Sequence, residues 1–592
     1  MRLLFSLLLI SPFCVASPLV QNPDARAGDS LDGSWARIID PYENGYYNHR
    51  YEPHQDGYFA NRQPQDPSEL IEYDFASAPR LMVPGDWNSQ EQALFFYEGT
   101  VWYQRDFTLH KQPGRRYLVY FGAVNYRAIV FVNGQPVGEH EGGFTPFQFD
   151  VTGAVKDGDN FIVVKADNRR ERDNIPTLNT DWWNYGGITR SVRLLDLPEN
   201  YLADYSLQLS DAGQIEGWVQ VSGPGGAVEI EISELSVQQS VAPDRTGFAH
   251  FSIPATPGLW SPESPLLFDV SWRFNGEVIR DRIGFRRIAV DGPDILLNGQ
   301  PVFLRGISLH EETPAGGSRA WSEADARQLL GWVKELGANF VRLAHYPHNE
   351  NMLKVADELG LMVWSEIPVY WTVMFGDPAV YAKAEQQLVE MISRDRNRAS
   401  IVLWSIANET PLADDRLSFL SRLAARAREL DSTRLVTAAL DTQSDTAGGK
   451  MIDDPLAASV DVIGINSYCG WYSGAPESCA GLRWQSRYDK PVIMSEFGGG
   501  ALHGLHGDAH QRWSEEYQAT VYENNLVMID NMGFLRGMTP WILKDFRSPR
   551  RPLPGIQDYW NRKGILSERG EKKAAWQVLH DYYLRRAEAG AR

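Results

Sequence analysis

Cysteine is scarce in this chain, long apolar runs are missing and basic charge is in deficit. Three cysteines occur in 592 residues. Met1–Ala16 has the build of a secretory signal peptide: Arg2 supplies the positive start, Leu3–Pro12 the apolar stretch and Cys14-Val15-Ala16 a small-residue cleavage site. Cys14 leaves with such a peptide, and the bulky Phe13 before it argues against a lipid-anchor cysteine. Cys469 and Cys479 remain; in an oxidising compartment they either pair or stay as two buried thiols. No apolar run is long enough to cross a bilayer, so the expectation is an exported chain, periplasmic or extracellular, without a membrane span. Lys and Arg number 57 against 76 Asp and Glu, a formal net charge of −19. That excludes nucleic acid as a partner, because binding phosphates needs a basic surface. An anionic ligand would need a local cationic pocket to be held against this field. No repeat, low-complexity tract or cofactor motif is present, and His345 and His348 lack the helical spacing of a metal-ligand pair. No metal and no cofactor are expected.

Aromatic residues are plentiful, with 19 Trp and 25 Tyr. Their faces stack on sugar rings, but they also fill cores. The length calls for two to four domains. After a mobile leader at 17–30, residues 31–198 read as a β-sandwich. VWYQRDFTL at Val101–Leu109 is strand-like, and Asn133-Gly134 lies between two apolar runs as a hairpin turn. Short alternating runs at 199–290 suit an immunoglobulin-like β-sandwich. From 291 to 592 the texture changes to short apolar runs alternating with amphipathic helices. Eight runs are readable: Val302–His310, Phe340–His345, Leu361–Glu366, Ile401–Glu409, Leu435–Leu440, Val460–Tyr468, Val492–Glu496 and Gly537–Phe546. Helical stretches between them include Ser322–Gly337, opened by Ser322 with Asp325 three residues on, and His510–Asp530. Glu571–Ala589 closes the chain. Eight strand-helix units predict a (β/α)8 TIM barrel.

In such a barrel, functional groups gather at the C-terminal strand ends. Those ends carry His310, His345, Glu366, Asn408-Glu409, Tyr468, Glu496 and Trp541. Glu409 and Glu496 close the fourth and seventh strands, which face each other across the mouth. Two carboxylates around one cavity are what glycoside hydrolysis requires: one protonates the leaving oxygen, the other attacks or activates water. Glu366 is a third candidate that spacing alone does not exclude.

At this point the chain resembles glycoside hydrolase family 2, and within it the β-glucuronidases. The resemblance rests on VWYQRDF, GGFTPFQFDVT at Gly142–Thr152, NYGGITRSV at Asn184–Val192, VRLAHYPHNENM at Val341–Met352, WSIANE at Trp404–Glu409, NSYCGWY at Asn466–Tyr472 and MSEFGG at Met494–Gly499. It covers nearly all of the chain after the leader. It implies a jelly-roll-like sugar-binding domain, an immunoglobulin-like domain and a catalytic barrel. It also implies Glu409 as acid/base, Glu496 as nucleophile, Asn408 on the sugar 2-hydroxyl and a structural role for Glu366. Retention of configuration follows from that pairing. Asp181 matches an aspartate that the first domain sends towards the sugar hydroxyls, and His345, Tyr468 and Trp541 match pocket residues.

The β-glucuronidases share an Asn-x-Lys pair that contacts the sugar carboxylate, and Asn561 and Lys563 in DYWNRKG fit it. Two departures stand beside this. Gln557 replaces an arginine found in many relatives, and Lys544, Arg547, Arg550 and Arg551 add cations near the mouth. These serve a larger acidic substrate or pair with the acidic surface, the plainer expectation. The expected partner is a glucuronide-bearing conjugate or oligosaccharide, and a homo-oligomer is in keeping with the family. The rivals are a β-galacturonidase or β-galactosidase of the same family, which in the second case needs no Lys563, and a carbohydrate-binding protein with a dead barrel.

Overall fold

In the computed structural model, the described residues are 19–590, apart from 55–57, 60–63, 65, 211 and 445–447. The signal-peptide reading of Met1–Ala16 lies outside them. Three bodies follow one another along the chain.

The first is a sandwich of a six-stranded and a four-stranded sheet. The six-stranded sheet centres on Thr100–Leu109 paired antiparallel with Gly158–Asp167. The expected hairpin forms between Arg127–Val132 and Gln135–Glu141. Its turn residues Asn133 and Gly134 sit at φ 50° and 83°, the left-handed conformation that a two-residue hairpin loop demands. The leader expected at 17–30 does not hang free from Leu19 onward. Val20 is buried, Gln21 N donates to Ala203 O, and Gly28–Ser30 pairs with the strand Val192–Pro198. An unpaired sheet edge and the apolar patch around Leu118, Tyr120 and Leu197 give this segment something to bury against.

The second body packs sheets of three and four antiparallel strands around Trp272. Its ion pairs Arg396–Asp204 at 2.8 Å and Arg398–Asp281 at 2.6 Å fasten it to the barrel.

The third is a closed eight-stranded parallel barrel. Numbered in chain order, its strands are β1 (Leu304–Leu309), β2 (Phe340–Leu343), β3 (Met362–Glu366), β4 (Ile401–Asn408), β5 (Leu435–Leu440), β6 (Val462–Asn466), β7 (Val492–Glu496) and β8 (Leu535–Met538). Every residue of β4 and β7 is buried, as in a parallel sheet covered on both faces. Helix α1 (Glu323–Glu335) opens with the Ser322/Asp325 capping box read from the sequence. The other helices are α2 (Glu350–Leu359), α3 (Pro378–Asp395), α4 (Asp414–Leu430), α5 (Glu515–Asp530) and α6 (Ala574–Gly590).

The pattern departs from the expectation in three places. Among the described residues no α-helix follows β5 or β6. The short 3-10 turns Pro455–Ala458 and Pro476–Gly481 stand there, each opened by a proline that removes a backbone donor. Helix α5 begins at Glu515 and not near His510, because the Ser514 side chain caps Tyr517 N. Strand β8 lies earlier than Gly537–Phe546, so Trp541 stands three residues beyond its end.

Candidate active site

Glu409 and Glu496 both emerge at the C-terminal mouth of the barrel. Glu409 follows β4 with φ 47°, a left-handed conformation costing about 1–2 kcal/mol for a residue with a Cβ. Its backbone N donates to Ala439 O at 2.9 Å, which holds the turn. The carboxylate is gripped from two sides. Trp371 Nε1 donates to Oε2 at 2.8 Å, and Asn466 Nδ2 donates to Oε1 at 2.9 Å. Glu496, the last residue of β7, is 4% exposed. Arg342 Nη1 donates to its Oε1 at 2.8 Å and the Tyr468 hydroxyl to its Oε2 at 2.6 Å.

A continuous polar chain joins the two acids. Asn466 Nδ2 also reaches Asn408 Oδ1 at 3.3 Å, and Asn408 Oδ1 accepts from Arg342 Nη2 at 2.8 Å. Arg342 then meets Glu496. Asn408 therefore spends its oxygen on the frame, while its buried Nδ2 has no partner in the protein. A buried amide donor left open is costly unless a ligand completes it. Glu366 is 1% exposed and ion-paired with Arg342 at 3.1 Å, with His345 Nδ1 3.0 Å away. It braces Arg342 from behind.

Burial pushes the Glu496 carboxyl above its ordinary range; the Arg342 charge opposes this, while the charge of Glu409 adds to it. The two carboxylates thus feel each other across the mouth. Burial also tends to raise Glu366, but Arg342 and His345 outweigh it and hold Glu366 at about 2. The Tyr468 phenol is driven well above its ordinary value by burial and by the Glu496 charge, so it stays a donor.

The remaining expected residues sit around this pair. The His345 ring stacks on Trp541, with centroids 4.7 Å apart, and its Nε2 lies 3.8 Å from Glu496. The His310 ring packs edge-on against Trp541 and on Phe546. Lys563 is 4% exposed, and its Nζ donates to the Tyr472 hydroxyl at 2.8 Å, 5.4 Å from the Tyr468 ring centroid. Among the described residues no carboxylate lies within ion-pair distance of it. Gly564 lets this stretch press on the chain after β8: a Cβ there would meet Asp545 N at 2.2 Å. Asn561 Nδ2 donates to Asp181 Oδ2 at 3.1 Å.

Asp181 does arrive from the first domain, but its carboxylate is engaged by protein. Arg551 pairs with it and Ser548 Oγ donates to it at 2.6 Å. The extra cations separate. Lys544 is buried, with Nζ 3.0 Å from Glu568 O, and Arg547 lies 3.9 Å from the Trp560 ring centroid. Arg551 follows the plainer expectation, since it meets an acid. Arg550 rests on Trp371, 4.6 Å from the ring centroid. Cys469 and Cys479 form a disulfide that closes the loop bearing Trp471 and Tyr472.

Arg342, Trp371, Asn466 and Tyr472 are the residues that reading strand ends misses. Arg342 lies inside β2 and not at its end, Trp371 lies five residues past β3, and Tyr472 sits in a loop. Asn466 does end β6, yet an amide there gives no chemical signal by itself. Trp404 and Phe497, which lie close to the two glutamates in sequence, pack in the barrel core.

Residues 29–198 match the sugar binding domain of glycosyl hydrolases family 2, and residues 288–532 match the TIM barrel domain of that family. A β-glucuronidase of Rattus norvegicus is 30% identical over 94% of this chain and 90% of its own length. A relative from Formosa agariphila is 29% identical over 85% of this chain, which spans 66% of that longer protein. Two solved structures share the fold. A Bifidobacterium dentium β-glucuronidase complexed with coumarin-3-O-glucuronide superposes with TM-score 0.82 at 26% identity, over 95% of this chain and 98% of that one. A GH2 β-galacturonidase from Eisenbergiella tayi gives 0.79 at 27% identity, over 97% and 98%.

Proposed function

The chain belongs to glycosyl hydrolases family 2, a family of glycoside hydrolases, and from that premise we propose that it is a retaining, exo-acting β-glucuronidase. The observation that carries the choice of sugar is Lys563: a buried ammonium group, held by Tyr472, with no carboxylate beside it among the described residues. A cation kept out of water without an acid partner is costly unless the ligand supplies the negative charge. Tyr468 stands between this ammonium and Glu496. A uronic acid whose anomeric carbon lies at Glu496 brings its own carboxylate towards Lys563.

The mechanism follows from the two carboxylates. Glu409, gripped by Trp371 and Asn466, protonates the glycosidic oxygen. Glu496, ionised, attacks the anomeric carbon, and the bond to the leaving group breaks. Arg342 and Tyr468 stabilise the attacking carboxylate and fix its orientation, so little reorganisation is needed at the moment of attack. The open Nδ2 of Asn408 suits the sugar 2-hydroxyl, a contact that strengthens in the transition state. Glu409 then takes a proton from water, which attacks the glycosyl-enzyme ester and releases the sugar with its β configuration kept. The signal-peptide pattern and the Cys469–Cys479 disulfide support export to an oxidising compartment.

A panel of 4-nitrophenyl β-glucuronide, β-galacturonide, β-galactoside and β-glucoside tests the reading. The expected result is a strong preference for the glucuronide. Lys563→Ala should remove it, cutting the glucuronide rate about ten- to hundred-fold, the worth of one charged hydrogen bond, and leaving neutral glycosides little changed. Equal losses on all four would end the carboxylate argument. The Eisenbergiella tayi similarity keeps β-galacturonide as the second reading, and faster cleavage of that substrate would establish it.

A further inference from the structure

Of the four extra cations after β8, three spend side-chain N–H groups on oxygens of the protein: Lys544 on Glu568 O, Arg547 on Asp558 O, and Arg551 on Asp181. Arg550 is different. It is exposed, and among the described residues no carboxylate lies within ion-pair distance of its guanidinium. Its backbone is nevertheless held. Arg550 N donates to Ser548 Oγ at 3.3 Å, Ser548 Oγ donates to Asp181, and the next residue is the Arg551 tied to the same acid.

The side chain lies over an aromatic pair. The Tyr370 and Trp371 rings stack with centroids 4.4 Å apart, and the Arg550 guanidinium lies 4.6 Å from the Trp371 centroid. Contact with an indole ring gives the guanidinium N–H groups no oxygen acceptor, which leaves them free to bind a planar or tetrahedral oxyanion. Trp371 is the indole that donates to Glu409. In the mechanism above Glu409 protonates the leaving oxygen, so a group resting on Trp371 borders the leaving-group side. Lys563 stands instead beside Tyr468, the hydroxyl bound to Glu496.

We propose that Arg550, seated on Trp371, forms a leaving-group subsite for an anion, so that the substrate is a β-glucuronide whose leaving moiety itself carries a carboxylate or sulfate ester. This deepens the glucuronidase reading and rests on it. In a chain of net charge −19, an acidic oligosaccharide is held at this mouth only where cations gather.

The test uses aryl β-glucuronides of matched leaving ability: 4-(carboxymethyl)phenyl glucuronide, its methyl ester and the 4-(sulfooxymethyl)phenyl analogue. The wild-type protein should favour one or both anionic substrates over the ester by about three- to fivefold in kcat/KM, as an ion pair at an exposed site predicts, and rising ionic strength should shrink that preference. Which anion gains more tells carboxylate from sulfate. Arg550→Ala should bring the ratio near unity while changing the ester less than about twofold, and Arg550→Lys should restore part of it. A wild-type ratio near unity, or one that survives Arg550→Ala, overturns the inference alone. Failure of the wild type to cleave the ester at all, with another glycoside of the panel cleaved, overturns the glucuronidase reading and this inference with it.

Discussion

Tyr468 and Glu409 pull the Glu496 carboxyl in opposite directions, and activity should report both. Burial raises its pKa, the Glu409 charge raises it further, and the Tyr468 hydroxyl lowers it by donating to the anion. In the proposed mechanism attack requires the anion, so kcat/KM should fall on the acid side as pH drops through this raised value. Tyr468→Phe removes the donor and should move the acid limb to higher pH, with a lower plateau. Glu409→Gln removes the neighbouring charge and should move it to lower pH, measured on an aryl glucuronide whose leaving group needs no protonation. A pH profile unmoved in both variants would mean that Glu496 does not set the limb. Glu409 and Glu496 were legible in the sequence because barrel topology assigns strand ends to the mouth, whereas Lys563 was legible only through the Asn-x-Lys resemblance to the β-glucuronidases. The partners were not: that Arg342 turns inward from β2 to meet Glu366 and Glu496, or that Trp371 reaches Glu409, is decided by packing between distant segments.

At the scale of elements, the loop after β6 carries Tyr468, Trp471 and Tyr472 and is closed by the Cys469–Cys479 disulfide. A cross-link spanning a sequence separation of 10 restricts the unfolded chain by about 2–3 kcal/mol. Replacing both cysteines by serine should lower Tm, read by calorimetry, and raise KM for the glucuronide more than it lowers kcat, since Tyr472 is what holds the Lys563 ammonium. An unchanged KM would separate the loop closure from the sugar contact. The eight strands were readable from their apolar runs, and the described helices from amphipathic spacing and caps. That no α-helix follows β5 or β6 among the described residues was not inferred, although Pro455 and Pro476 mark those connections. The docking of residues 19–30 had no local signal either, because it depends on an open sheet edge formed by residues 192–198.

At the scale of the whole molecule, the first domain is a structural part of the mouth. Arg190 pairs with Glu311 at 3.0 Å, the Tyr185 hydroxyl donates to Glu312 at 3.0 Å, and the Phe144 and Tyr346 rings stack 4.0 Å apart. These contacts hold the segment with Asp181 and Trp182 against the barrel, where Asp181 anchors both Arg551 and Asn561. Asp181→Asn should therefore lower kcat/KM on a glucuronide about tenfold, through two loosened groups, while Tm moves by only a few degrees. Loss of folding would instead mark Asp181 as a structural pillar. The sequence made the order of the three bodies plain, but not which side chains cross between them, since those contacts join segments more than a hundred residues apart.

In the proposed mechanism Glu496 attacks the anomeric carbon of a glucuronic acid unit. Incubation with 2-deoxy-2-fluoro-β-glucuronyl fluoride, followed by proteolysis and mass spectrometry, tests it most directly. One sugar is expected per chain, in ester linkage to Glu496, with inactivation following the same time course. A label on Glu409 or Glu366, or continued turnover of the reagent with inverted product and no label, would contradict it.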